Sequence, residues 1–183
     1  MRLRLVLVSI LAAGCAPAAT SHTASSPDRV VAVDDTRGAS IRTHSDAGAA
    51  KVSLPASADQ VFTAVAQSYA TLKVPVTYTD RGLGELGNKK FVMSRTFDGQ
   101  RVSTYLNCGD DPMGGPNADA NPVQVSIVTR ARASGGTSTV LETMVSGVTY
   151  KPGANSGPIY CATTGELEEH LAEMVASLIP KAQ

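Results

Sequence analysis

The sequence predicts an α+β domain over residues 51–183, with an antiparallel sheet of about five to six strands in one layer and two helices in the other. Two observations predict this fold class. Apolar residues recur at helical spacing in a segment that begins near residue 60 and in another at the C-terminal end. Between these segments, apolar and polar residues alternate in short runs separated by Gly-rich turns, as they do in antiparallel strands.

The first predicted elements are a short strand over residues 52–54 and a helix that ends near Leu72. Ser57 and Gln60 have the spacing of a capping box, in which each side chain bonds the backbone N–H of the other residue. Pro75 prevents the helix from continuing. The apolar stripe of this helix is Val61, Val65, Tyr69 and Leu72.

The next segments predict a meander of strands. Alternation over residues 74–78 indicates a strand, and a loop follows at Gly82, Gly84 and Gly87. Strands over residues 90–96 and 101–107 flank Asp98-Gly99, a dipeptide typical of tight β-hairpins. The meander continues with a strand that begins at Val123, a turn at Gly135-Gly136, and a strand over residues 137–150 with a bend at Gly147.

The last helix has the clearest pattern. Thr163 and Glu166 have capping-box spacing at its start. Glu168 and Glu169 are expected on a solvated face rather than as paired catalytic carboxylates, and His170 is expected as a partly buried residue at the boundary. The apolar stripe is Leu167, Leu171, Met174, Val175, Leu178 and Ile179.

The N-terminal end has the three parts of a secretory signal peptide. Arg2 and Arg4 form a basic region, residues 5–11 form an apolar run, and small residues precede Cys15. The run is too short for a transmembrane helix, which needs about 20 residues. The alternative is ordinary cleavage at residues 16–18, which the proline within that site disfavours.

Residues 11–15, Leu-Ala-Ala-Gly-Cys, resemble the lipobox of bacterial lipoprotein precursors, although Ala12 stands where that family prefers Leu. The resemblance implies a signal peptide over residues 1–14 and a mature chain that begins at Cys15, which carries diacylglycerol and an N-acyl chain. These acyl chains would hold the protein on the extracytoplasmic side of a bacterial membrane. Ala16 replaces the Asp that retains many lipoproteins in the inner membrane, which favours the outer membrane facing the periplasm.

Residues 15–50 are expected to hold the lipidated cysteine, a flexible tether rich in Ala, Ser, Thr and Pro, and an N-terminal arm. Over the whole chain, 16 basic residues balance 16 acidic ones. Loss of Arg2 and Arg4 with the signal peptide would leave a slight acidic excess. Nucleic-acid binding needs a basic patch or stripe, so no nucleic-acid partner is expected.

The three cysteines look odd in number for an exported protein. If Cys15 carries lipid, Cys108 and Cys161 remain, and the oxidising periplasm favours a disulfide between them. A catalytic cysteine would need a nearby base, and a metal site would need more ligands at tight spacing. The disulfide is therefore the prediction.

Both cysteines lie beside long loops, over residues 108–121 and 151–158, and this end of the sheet is the expected binding surface. Tyr105 and Tyr160 are candidates to line it, with ordinary packing as the alternative. Three further candidates, at the start of a calcium-loop pattern, are Asn117, Asp119 and Asn121. The later positions of that pattern hold Pro and Val in place of Gly and Glu, so a polar loop with Asx turns is favoured and no metal is expected.

Two segments resemble known domains. Residues 52–62 are similar to the opening of helix-grip domains of the START and polyketide-cyclase type, which implies a sheet around the C-terminal helix and a cavity for an apolar ligand. Residues 76–82 resemble lipoprotein domains like those of the third component of the outer-membrane β-barrel assembly machinery. Neither resemblance supplies catalytic residues.

The common motifs of nucleophilic, zinc and phosphate-loop chemistry do not occur in the sequence. We therefore expect a membrane-anchored envelope lipoprotein without a cofactor, whose domain binds another envelope protein or scaffolds an assembly. The alternative is a carrier of a small apolar ligand in a helix-grip cavity, and an enzyme is the third possibility.

Overall fold

The computed structural model describes residues 50–180 except 112, 113, 152 and 154–156. The predicted signal peptide, Cys15, the tether and the N-terminal arm lie outside the described residues. The described part is an α+β domain with an antiparallel sheet and helices packed against it, as predicted. In chain order, its elements are β1 (Ala50–Leu54), α1 (Ala58–Thr71), β2 (Tyr78–Asp80), β3 (Glu85–Met93), β4 (Thr96–Phe97), β5 (Gln100–Arg101), α2 (Val102–Tyr105), β6 (Leu106–Asn107), β7 (Asp110–Asp111), β8 (Gly115–Pro116), α3 (Asn117–Ala120), β9 (Val123–Gly135), β10 (Ser138–Thr149), β11 (Ile159–Thr163) and α4 (Glu166–Leu178).

The main sheet is built around the long hairpin of β9 and β10. Its strand order is β2-β3-β9-β10-β11-β6, and β1 also pairs with β10. β1 and β11 share the same edge of β10: β1 pairs with residues 139–143, and β11 pairs with residues 147–149. All these pairs are antiparallel.

Helix α1 begins and packs as predicted. The Ser57 side chain accepts the N–H of Gln60, and the Gln60 side chain accepts the N–H of Ser57, which completes the capping box. The four residues of the predicted stripe are all buried. Tyr69 also donates to or accepts from the Thr129 hydroxyl at 2.8 Å, which ties α1 to β9.

Helix α4 starts differently from the prediction. Its N-cap is Gly165, which has φ 94° and no side chain to cap the helix, so the predicted capping box of Thr163 and Glu166 is wrong. The Thr163 hydroxyl instead accepts the N–H of Gly165 and donates to the Glu168 carboxylate. The predicted apolar stripe does not stay buried to its end. Leu178, the last residue of α4, is 43% exposed.

A continuous apolar core fills the space between the helices and the sheet. α1 contacts α4, β3, β9 and β10, while α4 also contacts β1 and β10. The side chains that occupy the interior between the sheet and α4 are Leu141, Val145, Leu167, Leu171 and Val175, each at most 4% exposed.

Gly87 lies inside β3 rather than in the predicted glycine loop. It pairs with Val128 in β9, and a Cβ atom at this position would overlap the carbonyl oxygen of Ile127. The backbones of β3 and β9 therefore come together at a residue without a side chain. The strand predicted over residues 90–96 correspondingly starts earlier, at Glu85, and ends at Met93.

The Asp98-Gly99 hairpin is confirmed, with positive φ values of 46° and 77° at its two turn residues. The strand predicted over residues 101–107 is confirmed only at its ends, which belong to β5 and β6, because residues 102–105 form the short helix α2, with Val102 and Tyr105 buried. The strand predicted over residues 74–78 is reduced to its end, and β2 starts only at Tyr78.

The β9–β10 hairpin also differs in detail. Its register shift lies at Ser138/Thr139 and not at Gly147, where a bend was predicted. Gly147 continues the regular ladder, and a Cβ there would lie 3.0 Å from a Val123 side-chain atom and 3.2 Å from Cys161 Cβ. The absence of a side chain at Gly147 therefore allows Val123 of β9 and Cys161 of β11 to pack closely against β10.

Candidate functional site

A disulfide between Cys108 and Cys161 is present, as predicted. The two half-cystines are 5% and 2% exposed. Cys161 lies in β11, and Cys108 directly follows β6, which pairs with the other edge of β11. The bond therefore ties the beginning of the segment over residues 108–121 to the sheet.

That segment is more structured than the irregular loop predicted for it. It contains the β7–β8 hairpin and the short helix α3. Asn117 is 3% exposed, and its side chain donates to the carbonyl of Cys108 at 3.2 Å. Asn121 donates in turn to the carbonyl of Asn117 at 3.3 Å. The side-chain amides of Asn117 and Asn121 therefore stabilise this segment through hydrogen bonds to its own backbone.

Asp119 is also engaged within the protein. Its carboxylate accepts the N–H of Ser103 at 2.9 Å and the hydroxyl of the same residue at 2.8 Å, which links α3 to α2. Asn117, Asp119 and Asn121 thus have different partners and do not converge on one point. No group of three or more His, Cys, Asp or Glu side chains suitable for a metal ion occurs in the described part of the chain.

The two candidate tyrosines lie in different environments. Tyr105 is 4% exposed, and its ring meets Phe97 edge-to-face at 5.8 Å between centroids, so this tyrosine packs in the core. Tyr160 is 49% exposed on β11 and lies opposite Val148 of β10. The structure therefore separates the pair that the sequence places beside the two cysteines.

Tyr160 stands on the sheet face opposite the core. We call this surface the open face, defined by the outward residues of the central hairpin: Gln124, Ser126, Val128, Arg130, Glu142, Met144, Ser146 and Val148. A shallow trough of about 370 Å³ crosses it. This Tyr160 trough is lined by Lys89, Gln124, Ser126, Ser146, Gly147, Val148, Tyr160 and Cys161.

The centre and the border of the open face differ in charge. Ser126 and Ser146 are opposite each other in the trough, and neither side chain bonds another described residue. At one border, a ladder of ion pairs crosses four strands. Lys51 lies 3.2 Å from Glu142, Glu142 lies 3.9 Å from Arg130, and Arg130 pairs with Glu85. The charges are largely compensated within this ladder.

Glu168 is the buried ionisable group that the sequence pattern did not reveal. Its side chain faces the interior at 1% exposure, although it was predicted on a solvated face. Thr163 donates to Glu168 Oε2 at 2.8 Å, while Glu168 Oε1 has no hydrogen-bond partner among the described residues. Burial raises the pKa of Glu168 to about 7, and the bond from Thr163 opposes part of this rise.

His170 is the single histidine of the described residues. Its Nε2 atom lies 2.9 Å from a carboxylate oxygen of Asp98 at the hairpin turn, and its side chain is 38% exposed, as expected of a boundary residue. Both described cysteines are consumed by the disulfide, so the described part offers no thiol for a Cys–His pair.

Comparison with known proteins assigns no family. No protein-family model matches the chain, and no curated protein shows a significant sequence match. Among the helices in the described part, none has the length and apolar character needed to cross a membrane.

Proposed function

We propose that this chain is a lipid-anchored protein of the bacterial cell envelope, held through Cys15 on the extracytoplasmic side, and that its domain binds a partner protein through the open face. The lipobox-like residues 11–15 motivate the anchor. The Cys108–Cys161 disulfide supports an oxidising compartment, because such bonds are rare where cellular thiols are kept reduced.

The observation that carries the binding proposal is a sheet face on which none of the described helices packs. α1 and α4 pack on the face that contains the core, whereas Met144 and Val148 on the other face remain only partly buried. Tyr160 stands beside Val148 at 49% exposure. Met and Tyr are enriched in protein–protein interfaces, whose centres are depleted of charge and whose rims are polar.

The charges around this surface favour a protein partner over nucleic acid. The ladder through Arg130 neutralises its own charges. Among the described residues that line the Tyr160 trough, Lys89 is the one with a charge, and it lies 3.8 Å from the centre of the Tyr78 ring. A surface of this kind offers no stripe of positive potential to a phosphate backbone. It suits a partner surface that is itself neutral and partly apolar.

The carrier of an apolar ligand is the second candidate. A helix-grip carrier would need space between the sheet and the C-terminal helix. Leu141, Leu167 and Leu171 occupy that interior at no more than 1% exposure, which favours the binding domain over the carrier.

Site-specific photocrosslinking in the producing bacterium tests whether the open face binds a partner. We would place a photoreactive residue at Val148 on the open face and, as a matched control, at the exposed Gln67 on α1. A discrete crosslinked species is expected from position 148 and not from position 67. Adding Tyr160→Ala should reduce its yield several-fold because this change removes a large exposed contact. Equal crosslinking from both positions would argue against the open face.

The anchor is tested in the same cells by the Cys15→Ser variant. The proposal predicts that the unchanged chain fractionates with membranes and the variant does not. A variant that stays in the membrane fraction would show that the attachment does not depend on lipid at Cys15.

A further inference from the structure

A second cleft, of about 460 Å³, lies between the first turn of α1, the β2–β3 turn and the end of β9. We call it the Arg81 cleft. It shares no lining residue with the Tyr160 trough. Its volume falls in the range of about 300–1,000 Å³ that is usual for small-molecule sites. The lining residues that matter here are Asp59, Phe62, Arg81, Leu83, Ala131 and Arg132.

The β2–β3 turn that carries Arg81 is fixed by its own hydrogen bonds. Asp80 Oδ1 accepts the N–H of Leu83 at 3.0 Å, and the N–H of Gly84 donates to the carbonyl of Arg81 at 3.3 Å. The Gly84 carbonyl in turn accepts the N–H of Ala131 in β9 at 2.9 Å. Arg81 is therefore presented from a turn that is secured to the central hairpin.

The guanidinium group of Arg81 has an aromatic support and no anionic partner in the described part of the chain. Its central carbon lies 5.0 Å from the centroid of the Phe62 ring. No hydrogen bond or ion pair joins the Arg81 side chain to another described residue. A guanidinium group that stacks on a ring keeps its N–H edges free, and these edges match a carboxylate in a bidentate manner.

The remaining lining residues indicate the chemical character of a ligand that would fit the cleft. Leu83 is 55% exposed at the cleft, and Ala131 contributes a small apolar surface. Arg132 adds a second cation, whose nearest carboxylate oxygen, on Glu142, is 4.0 Å away. Asp59 contributes one negative charge. Arg132 thus has a carboxylate partner, whereas Arg81 has none among the described residues, and a ligand carboxylate would supply one.

We propose that the Arg81 cleft binds a small organic monoanion with an apolar tail, of the chemical class of a medium-chain carboxylate. The carboxylate would bond the free edge of the Arg81 guanidinium group, and the tail would lie against Phe62 and Leu83. This site is independent of the open face and of the lipid anchor.

The test uses sodium octanoate as the probe and the full chain carrying Cys15→Ser, so that no detergent is needed. Octanoate is titrated into isotope-labelled protein, and the backbone amide signals of Leu83 and Ala131 are followed by NMR. Saturable shifts centred on these residues are expected. Arg81→Gln should weaken binding at least about tenfold, because it removes a charge-assisted hydrogen bond. The matched control Arg101→Gln, at an exposed arginine of β5, should leave binding unchanged.

Two further comparisons make the charge requirement decisive. Asp59→Asn should tighten octanoate binding, since it removes a like charge from the cleft, and octan-1-ol should bind at least about tenfold more weakly than octanoate. Equal binding of octanol and octanoate, wild-type affinity in Arg81→Gln, or no saturable shift at Leu83 would each overturn the proposal. None of these results bears on crosslinking at the open face.

Discussion

Glu168 shows how far one residue departs from its sequence pattern. A charged residue is expected on a solvated face of the helix. Glu168 instead lies on the same side of α4 as the buried Ala172 and Val175, which follow it by four and seven residues. That helical spacing was the available signal, and the three acidic residues near the helix start obscured it. The acidic position near a helix N-terminus is favourable in itself, but the buried site disfavours the charged form.

The raised pKa of Glu168 predicts a domain that is more stable in mild acid than in mild base. Below its unfolded pKa of about 4.5, the carboxyl is protonated in both states and the stability is fully present. As pH rises toward the folded pKa of about 7, the unfolded chain releases a proton that the folded chain retains, and stability falls. The loss should approach about 3 kcal/mol.

Glu168→Gln should flatten this dependence, because the amide oxygen can still accept the Thr163 hydroxyl and carries no charge. The free energy of unfolding would be measured by urea denaturation at pH 5 and pH 8. Glu169→Gln, at the exposed neighbour, is the matched control and should keep the wild-type slope. A wild-type slope in Glu168→Gln would assign the pH dependence to other groups.

At the scale of elements, the pairing of β3 with β9 depends on Gly87. Gly87→Ala should destabilise the domain by about 3 kcal/mol, since overpacking at the Ile127 carbonyl forces the two strands apart. Thermal unfolding measures the effect. Gly114→Ala is the control, because a Cβ there meets nothing within 4 Å, and its change should stay within about 0.5 kcal/mol. Similar small changes in both variants would contradict the close approach of the strands.

The elements that could be predicted are those with local signals. Ser57 and Gln60 act within one helical turn, and Asp98-Gly99 forms a hairpin through its own backbone preferences. Gly87 reads as a loop residue in sequence because its partner in β9 lies about forty positions away along the chain. The Asp98-Gly99 hairpin suggested a returning strand over residues 101–107, but Val102 and Tyr105 have the spacing of a helical turn and are buried in one.

The candidate site, like the fold, could be predicted from sequence only in part. The pairing of Cys108 with Cys161 followed from the cysteine count together with the assignment of Cys15 to lipid, whereas separating Tyr105 from Tyr160 requires knowledge of which sheet face each one meets. Arg81 could be recognised only as a turn residue. Its ring contact with Phe62 arises from the packing of α1 against the sheet and has no sequence pattern of its own.

At the scale of the whole molecule, the disulfide closes a long segment of the chain. Its cysteines are 53 positions apart, and a loop of about this length corresponds to about 4 kcal/mol in the chain-entropy model. Reduction should therefore lower the urea midpoint strongly. The Cys108→Ala/Cys161→Ala variant should match the reduced protein and show no further response to reductant. Unchanged midpoints on reduction would mean that the closed loop adds nothing to stability.

The shared edge of β10 sets an order on the assembly of the protein. β1 pairs with residues 139–143 of β10, and β11 pairs with residues 147–149 of the same strand. A chain that emerges N-terminus first through any narrow pore would hold β1 unpaired until most of the domain had followed. The sheet therefore cannot be completed before β10 has emerged. Until then the chain would remain incompletely folded and could still pass through the pore.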